Sequence, residues 1–529
     1  MRMVILAPRS PRHAAAALAA LALVWFAAGD ACAGIDDDLN ARGFALAAKH
    51  YTVQTKEQTY TDADVVQKLA MAACEGEFEP VTLTVIAGKD LAGVSVSVSD
   101  LKSAAGGAIP SQAMEIRHQI AQTTGSGQAE VNRSLLFPAL KPQTIKRGER
   151  MRFWITVHVP AEAVSGSYAG TVSVKGEGID ASVPLELRVY GFKHGRLPGR
   201  HAGMIGVPND EVHYRDYADH AMTVIFGGAG RLVESPDGTL RLPDMENSMR
   251  MAQKVGLGDI FVAGLGGLIP TSKVKNTSHI LTFRHYLHTQ RMRKIALAYR
   301  DICRKEGLPE VIWYMFDEPG RGDRQQLGPL RNKESHLLYT QIDEIPGVRT
   351  LLTIGHEEAV EFGTHFAIHC WAGAPTPDDC QLTRECGGQV WRYSNDISMG
   401  TNPFFSRWAM GFFPWACGWD ASTSWTYPCE LMGEDGKPVP PDVWEGIREG
   451  VDDWYYLLTL EGLVGQAKAA GTAEAKAAAE GGEGYLASLK SRINPRSQRE
   501  NPFKSGVEMD EARAQAADWI EKLGAALKK

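Results

Sequence analysis

Two carboxylates stand side by side at Asp317 and Glu318. They close an apolar and aromatic run, Val311-Ile-Trp-Tyr-Met-Phe316, and Pro319-Gly320 follow at once. Proline cannot donate to a sheet ladder and glycine opens a loop, so the pair falls where a buried strand ends. Carboxylates that share an apolar cleft repel each other, which lets one hold a proton as an acid while the other stays charged. The competing reading is a solvated acidic turn. The apolar run before the pair and the Pro-Gly after it favour the cleft.

Adjacency restricts the chemistry. Neighbouring side chains on an extended chain point to opposite sides. Asp317 and Glu318 are therefore poorly placed to flank a glycosidic bond as acid and nucleophile at about 5 Å. Another division of labour suits them better. One protonates the leaving oxygen, and the other orients a nucleophile supplied by the substrate, its 2-acetamido group.

Aromatic and polar residues cluster further along, at Trp371, Trp391, Tyr393, Asn395, Trp415, Trp419 and Asp420. Indole and phenol faces stack on the C–H faces of sugars while polar neighbours take the hydroxyls. These seven are the candidate substrate contacts, with core packing as the alternative for each tryptophan. His356, His365 and His369 lack a metal-ligand spacing, so neither a metal nor a cofactor is expected. No Gly-x-Ser-x-Gly elbow is present. The glycines at 227, 228 and 230, and at 264, 266 and 267, complete no phosphate-binding pattern.

Catalytic groups need a scaffold. Short apolar segments alternate with helical stretches from Gly199 onward. Eight strands are expected at His201–Val207, Met222–Phe226, Asp259–Ala263, Val311–Phe316, Arg349–Ile354, Phe366–Cys370, Val390–Tyr393 and Gly411–Trp415. Helices such as Tyr286–Glu306 and Asn332–Ile345 fall between them. That alternation predicts a (β/α)₈ TIM barrel, whose catalytic groups sit at the C-terminal ends of the strands. A doubly wound sheet is the rival. Ahead of it, Val81–Val85, Val94–Val98, Phe153–Val159 and Val183–Val189 alternate with period two, as an antiparallel β-sandwich does. Trp444, Ile447, Val451, Trp454, Leu457 and Leu458 recur at helical spacing, and Asp510–Leu523 reads as a surface helix.

The fold class is therefore multidomain β plus α/β: an N-terminal antiparallel β-sandwich, a (β/α)₈ barrel and a C-terminal helical segment. The expected divisions are a signal peptide at 1–33, the sandwich at 34–195, the catalytic barrel at 196–465 and a helical tail at 466–529. Residues 1–33 carry the basic Arg2, Arg9 and Arg12, an apolar run from Ala14 to Ala28, and Ala31-Cys-Ala33. This is the pattern of a cleaved secretory leader, and a spanning helix needs about 20 apolar residues. A periplasmic or extracellular protein without a stable membrane span is expected. The net charge of −7 disfavours a polyanionic partner such as nucleic acid. Of eight cysteines, Cys32 falls in the leader. Cys380–Cys386 and Cys417–Cys429 are candidate disulfides in an oxidising compartment.

Residues from roughly 70 to 465 resemble glycoside hydrolase family 123 and related uncharacterised proteins. The resembling phrases are Cys74-Glu-Gly-Glu-Phe-Glu-Pro80, Val159-Pro-Ala-Glu-Ala-Val-Ser-Gly-Ser-Tyr-Ala-Gly-Thr171, Phe316-Asp-Glu-Pro319, Gly418-Trp-Asp420 and Arg448-Glu-Gly-Val-Asp-Asp-Trp-Tyr-Tyr-Leu457. The resemblance implies a sandwich plus TIM barrel. It also implies a retaining, exo-acting β-N-acetylgalactosaminidase in which Asp317 holds the acetamido group and Glu318 is the acid/base. The expected partner is a carbohydrate, as a glycan or a glycolipid. Two other readings stay open. One is a glycosidase of a non-acetylated sugar, with Asp396 or Asp420 acting beside Glu318. The other is a non-catalytic carbohydrate-binding protein of the same fold.

Overall fold

The computed structural model describes residues 34–54, 59–124, 131–264, 278–318, 328–355, 359 and 366–528. The leader at 1–33 and the Pro319-Gly320 step lie outside them, as do His356 and His365.

Two β-sheets form the N-terminal part. One has the order Phe44–Ala47, Phe78–Ala87, Arg150–His158, Met114–Thr124, Val131–Pro138. The other is built around Gly166–Glu177 and Ile179–Lys193, a long antiparallel pair. Alternate residues of both sheets, among them Leu83, Val85, Ile155, Val172, Val174 and Leu185, bury into one shared core. The pairing is antiparallel except that Leu69–Glu75 runs parallel to Ile179–Lys193. The first sheet is not wet on its second face. Thr82, Thr84, Arg152 and Trp154 are buried there, under the segment following Ala47. Arg152 donates to the carbonyls of Lys49, His50 and Val53. Arg152 is itself buried, which holds its guanidinium at about 10, below arginine's usual value.

Eight parallel strands then close a barrel: His201–Ile205, Val224–Gly228, Ile260–Gly264, Glu310–Tyr314, Arg349–Ile354, Ile368–Ala372, Gln389–Ser394 and Ala421–Trp425. Seven coincide with the expected strands. The eighth does not. The stretch 411–415 belongs instead to a short helix, Phe412–Cys417, preceded by Pro403–Met410. Both helices are buried on nearly all sides. An apolar run without polar interruptions has no periodicity that separates helix from strand. The barrel interior is filled by Val224, Phe226, Ile260, Val262, Ile312, Leu351, Ile368, Cys370, Trp391 and Ala421, so it is a packed core and not a pore.

The helix Asp442–Ala470 is buried over most of its length, and Ala473–Ser491 and Gly506–Leu527 pack on it. Buried ions tie this layer to the two sheets. Arg513 of the last helix reaches Glu77 at 3.3 Å, Glu79 at 3.0 Å and Glu449 at 2.9 Å. Arg407 grips Asp453 through two hydrogen bonds of 2.7 and 2.8 Å and donates to Tyr51 at 2.7 Å. The phrases Cys74–Pro80 and Arg448–Leu457 meet in this junction, where Tyr456 donates to Glu77 at 2.5 Å. They therefore record how the parts are joined. No described helix is long and apolar enough to cross a membrane. All seven cysteines beyond the leader are free. The expected staples do not form, because Cys380 and Cys386 share one helix and its cap, and Cys429 lies buried beside Tyr427 and Asp216.

Candidate active site

The fourth barrel strand ends at Tyr314, and the chain turns at once. Glu318 adopts φ 38°, one of two positive-φ residues other than glycine among those described. A side chain there costs about 1–2 kcal/mol, and such strain concentrates at functional sites. Asp317 and Glu318 both stay at the C-terminal rim of the strand, the first exposed and the second half-buried.

Hydroxyls of the fourth, fifth and seventh strands meet the pair. Tyr314 O–H donates to Asp317 Oδ1 at 2.6 Å, and Thr353 Oγ1 lies 3.3 Å from the same oxygen. Burial and the adjacent Asp317 raise the Tyr314 phenol far above its ordinary value, so it remains a donor. The Glu318 backbone N–H donates to Thr353 Oγ1 at 2.9 Å. Tyr393 O–H donates to Glu318 Oε1. Beneath the pair, Tyr339 O–H accepts the N–H groups of Met315 and Phe316 at 3.1 and 3.4 Å and donates to the Leu351 carbonyl at 2.7 Å. Four strands and helices thus hold a four-residue turn.

The candidate contacts separate into two groups. Tyr393 projects into the barrel with Tyr314 and meets Glu318. Asn395 and Asp396 follow the seventh strand, exposed at the same end. The others lie elsewhere. Trp391 shares Tyr393's face two residues lower and is fully buried in the barrel core. Trp371 has the opposite parity and packs outward, its N–H on Thr383 of the covering helix at 3.1 Å. Trp415 is on the helix Phe412–Cys417 and donates to Glu461 at 3.0 Å. Trp419 is fully buried against Phe413 and the Arg392 guanidinium. Asp420 precedes the eighth strand, at the end of the barrel opposite Glu318, and accepts the Val390 N–H at 2.8 Å. These five build the scaffold, because strand-end position and inward parity are both needed to reach the mouth.

Sequence reading missed Tyr314, Thr353 and Trp425. The first two were legible as the upper inward positions of their strands once the parity of Ile312 and Leu351 was known. Trp425 ends the true eighth strand, opposite Ile205 and one pleat above Thr423, the neighbour of Tyr393. It is 46% exposed, a flat apolar surface on the rim. The misplaced eighth strand concealed it. Among the described residues no three His, Cys, Asp or Glu side chains are placed to share a metal ion. Glu77 and Glu79 are engaged by Arg513 at the junction.

Residues 48–176 match the glycoside hydrolase 123 N-terminal domain. The whole fold is similar to that of a family 123 glycoside hydrolase from Clostridium perfringens, described for glycolipid glycan hydrolysis. The TM-score is 0.62 at 10% identity, over 90% of this chain and 97% of that one. A looser likeness joins it to a fungal β-1,4-galactanase, at TM-score 0.31 and 11% identity over 47% and 94% of the two chains. Another joins it to a Parabacteroides merdae β-glucuronidase, at 0.28 and 10% over 78% and 53%. No curated protein matches the chain in sequence.

Proposed function

We propose that this chain, which carries the N-terminal domain of glycoside hydrolase family 123 and the fold of a whole member of it, is an exported, retaining, exo-acting β-N-acetylgalactosaminidase. The observation that carries this reading is the turn at Glu318, which sets two neighbouring carboxylates on one rim of the barrel. Asp317, fixed through Oδ1 by the Tyr314 hydroxyl, accepts the acetamido N–H of the sugar through its other oxygen. The acetamido carbonyl oxygen attacks the anomeric carbon as the glycosidic C–O bond breaks, and Glu318 gives its proton to the leaving oxygen. Water then opens the cyclic intermediate and returns a proton to Glu318. Two inversions give net retention. Trp425 offers its exposed face to the sugar ring. The leader at 1–33 takes the chain out of the cytoplasm, to sugars attached to glycans or glycolipids.

Glu318→Gln tests the assignment. General acid catalysis contributes about 10²–10⁴-fold, so the variant loses turnover of an unactivated N-acetyl-β-galactosaminide, whose poor leaving group needs the proton, by that factor while keeping its fold. Unchanged turnover removes Glu318 from the mechanism. A second reading has an enzymatic nucleophile; of the two carboxylates weighed for it, Asp396 follows the seventh strand at the same end as Glu318, while Asp420 lies at the far end. Trapping with a 2-fluoro sugar followed by mass spectrometry separates the two. A stable adduct on Asp396 overturns the substrate-assisted route.

A further inference from the structure

One hydroxyl touches both carboxylate residues. Thr353 is the penultimate residue of the fifth barrel strand and is 2% exposed. Its Oγ1 accepts the Glu318 N–H at 2.9 Å. The same oxygen lies 3.0 Å from the Tyr314 phenol oxygen and 3.3 Å from Asp317 Oδ1. A threonine hydroxyl has one proton and two lone pairs. The Glu318 N–H takes a lone pair, which leaves the proton for the Asp317–Tyr314 side. Tyr314 donates to Asp317 Oδ1 as well. Both hydroxyls therefore converge on one oxygen of Asp317, Oδ1.

The same contact bears on the backbone. Glu318 is in the left-handed region at φ 38°, where a non-glycine residue persists only if its surroundings hold it. The bond from its N–H to Thr353 is such a restraint, and it crosses from the fourth strand's loop to the fifth strand.

The geometry points to Thr353 as a positioning residue: its single hydroxyl pins Glu318 in its turn and, with Tyr314, sets which oxygen Asp317 presents. This rests on the reading of Asp317 as the acetamido-orienting group and Glu318 as the acid/base. Thr353 touches neither sugar nor water in that scheme and acts through the pair. Without the hydroxyl, the Glu318 peptide relaxes toward negative φ and both carboxylates move relative to the anomeric carbon. A displacement of about 1 Å in such a site costs on the order of 100-fold in rate.

Thr353→Val and Thr353→Ser separate the hydroxyl from the methyl. Both are assayed with an alkyl N-acetyl-β-galactosaminide, whose poor leaving group needs the acid, beside Glu318→Gln, with thermal melting as the fold control. Thr353→Val is expected to lower kcat about 100-fold with KM nearly unchanged, since the sugar's other contacts persist. Thr353→Ser is expected to restore most of the rate. A crystal structure of Thr353→Val is expected to show Glu318 at negative φ, a readout that needs no turnover. The inference is overturned by wild-type kcat in Thr353→Val, by equal losses in both variants, or by an unmoved Glu318 in the crystal. Full activity in Glu318→Gln instead sinks the reading of the site itself. Loss in Glu318→Gln with an undiminished Thr353→Val removes Thr353 alone.

Discussion

Asp442 opens the helix Asp442–Ala470 and is buried where that helix meets the first β-sheet. The Gln119 amide donates to its Oδ2 at 3.1 Å. Burial pushes its carboxyl from an aspartate's ordinary 3.8 up to about 7, against the opposing charge of Arg152. The unfolded chain is ionised above 3.8, while the folded carboxyl keeps its proton to about 7. The folded state therefore binds more protons across that window, and its stability falls as pH rises through it. At 1.36 kcal/mol per pKa unit the penalty at pH 8 is about 4 kcal/mol. The helix N-terminus favours the anion by up to about 2 kcal/mol in partly buried geometries, so about 2–4 kcal/mol is expected. Asp442→Asn keeps a neutral group of the same shape at every pH. In urea titrations it should match the parent near pH 4 and exceed it by about 2–4 kcal/mol at pH 8. Burial also raises the Glu449 carboxyl, against the opposing charge of Arg513; both proteins share that background, which the difference removes. A difference that does not change with pH, or an Asn variant less stable at pH 8, refutes the argument.

Arg513→Met leaves Glu77, Glu79 and Glu449 buried without their shared cation. It should cost about 3–5 kcal/mol in denaturant unfolding at pH 7, and a loss under 1 kcal/mol would show the junction is not held by these ions. Activity per folded molecule should persist, since the pair on the rim makes no contact with Arg513. Trp425→Ala removes the exposed indole on the rim and should raise KM about tenfold, equivalent to roughly 1.4 kcal/mol. A fall in kcat at constant KM would mean that Trp425 serves the chemistry and not sugar binding.

The two alternations, of period two before Gly199 and of strand with helix after it, are local, and they were readable residue by residue. So was the abrupt end of an apolar strand in Asp317-Glu318, because the breakers lie next to the carboxylates. Local pattern failed where burial is complete. Phe412–Cys417 is apolar all round, so nothing in it told helix from strand, and the register of the eighth strand slipped by ten residues. That slip promoted Trp415 to the rim and hid Trp425. Inward and outward parity is likewise a tertiary property. Trp371 and Trp391 are alike in sequence, yet one faces a helix and the other the barrel core, because closure of the sheet decides which alternate residues turn inward. Asp420 and Glu318 both border a strand, but only chain direction in the closed barrel puts them at opposite ends. The hydroxyls of Tyr314, Thr353 and Tyr393 come from the fourth, fifth and seventh strands. Their convergence on two carboxylates exists only once the strands are aligned in register, which no local stretch of the chain contains.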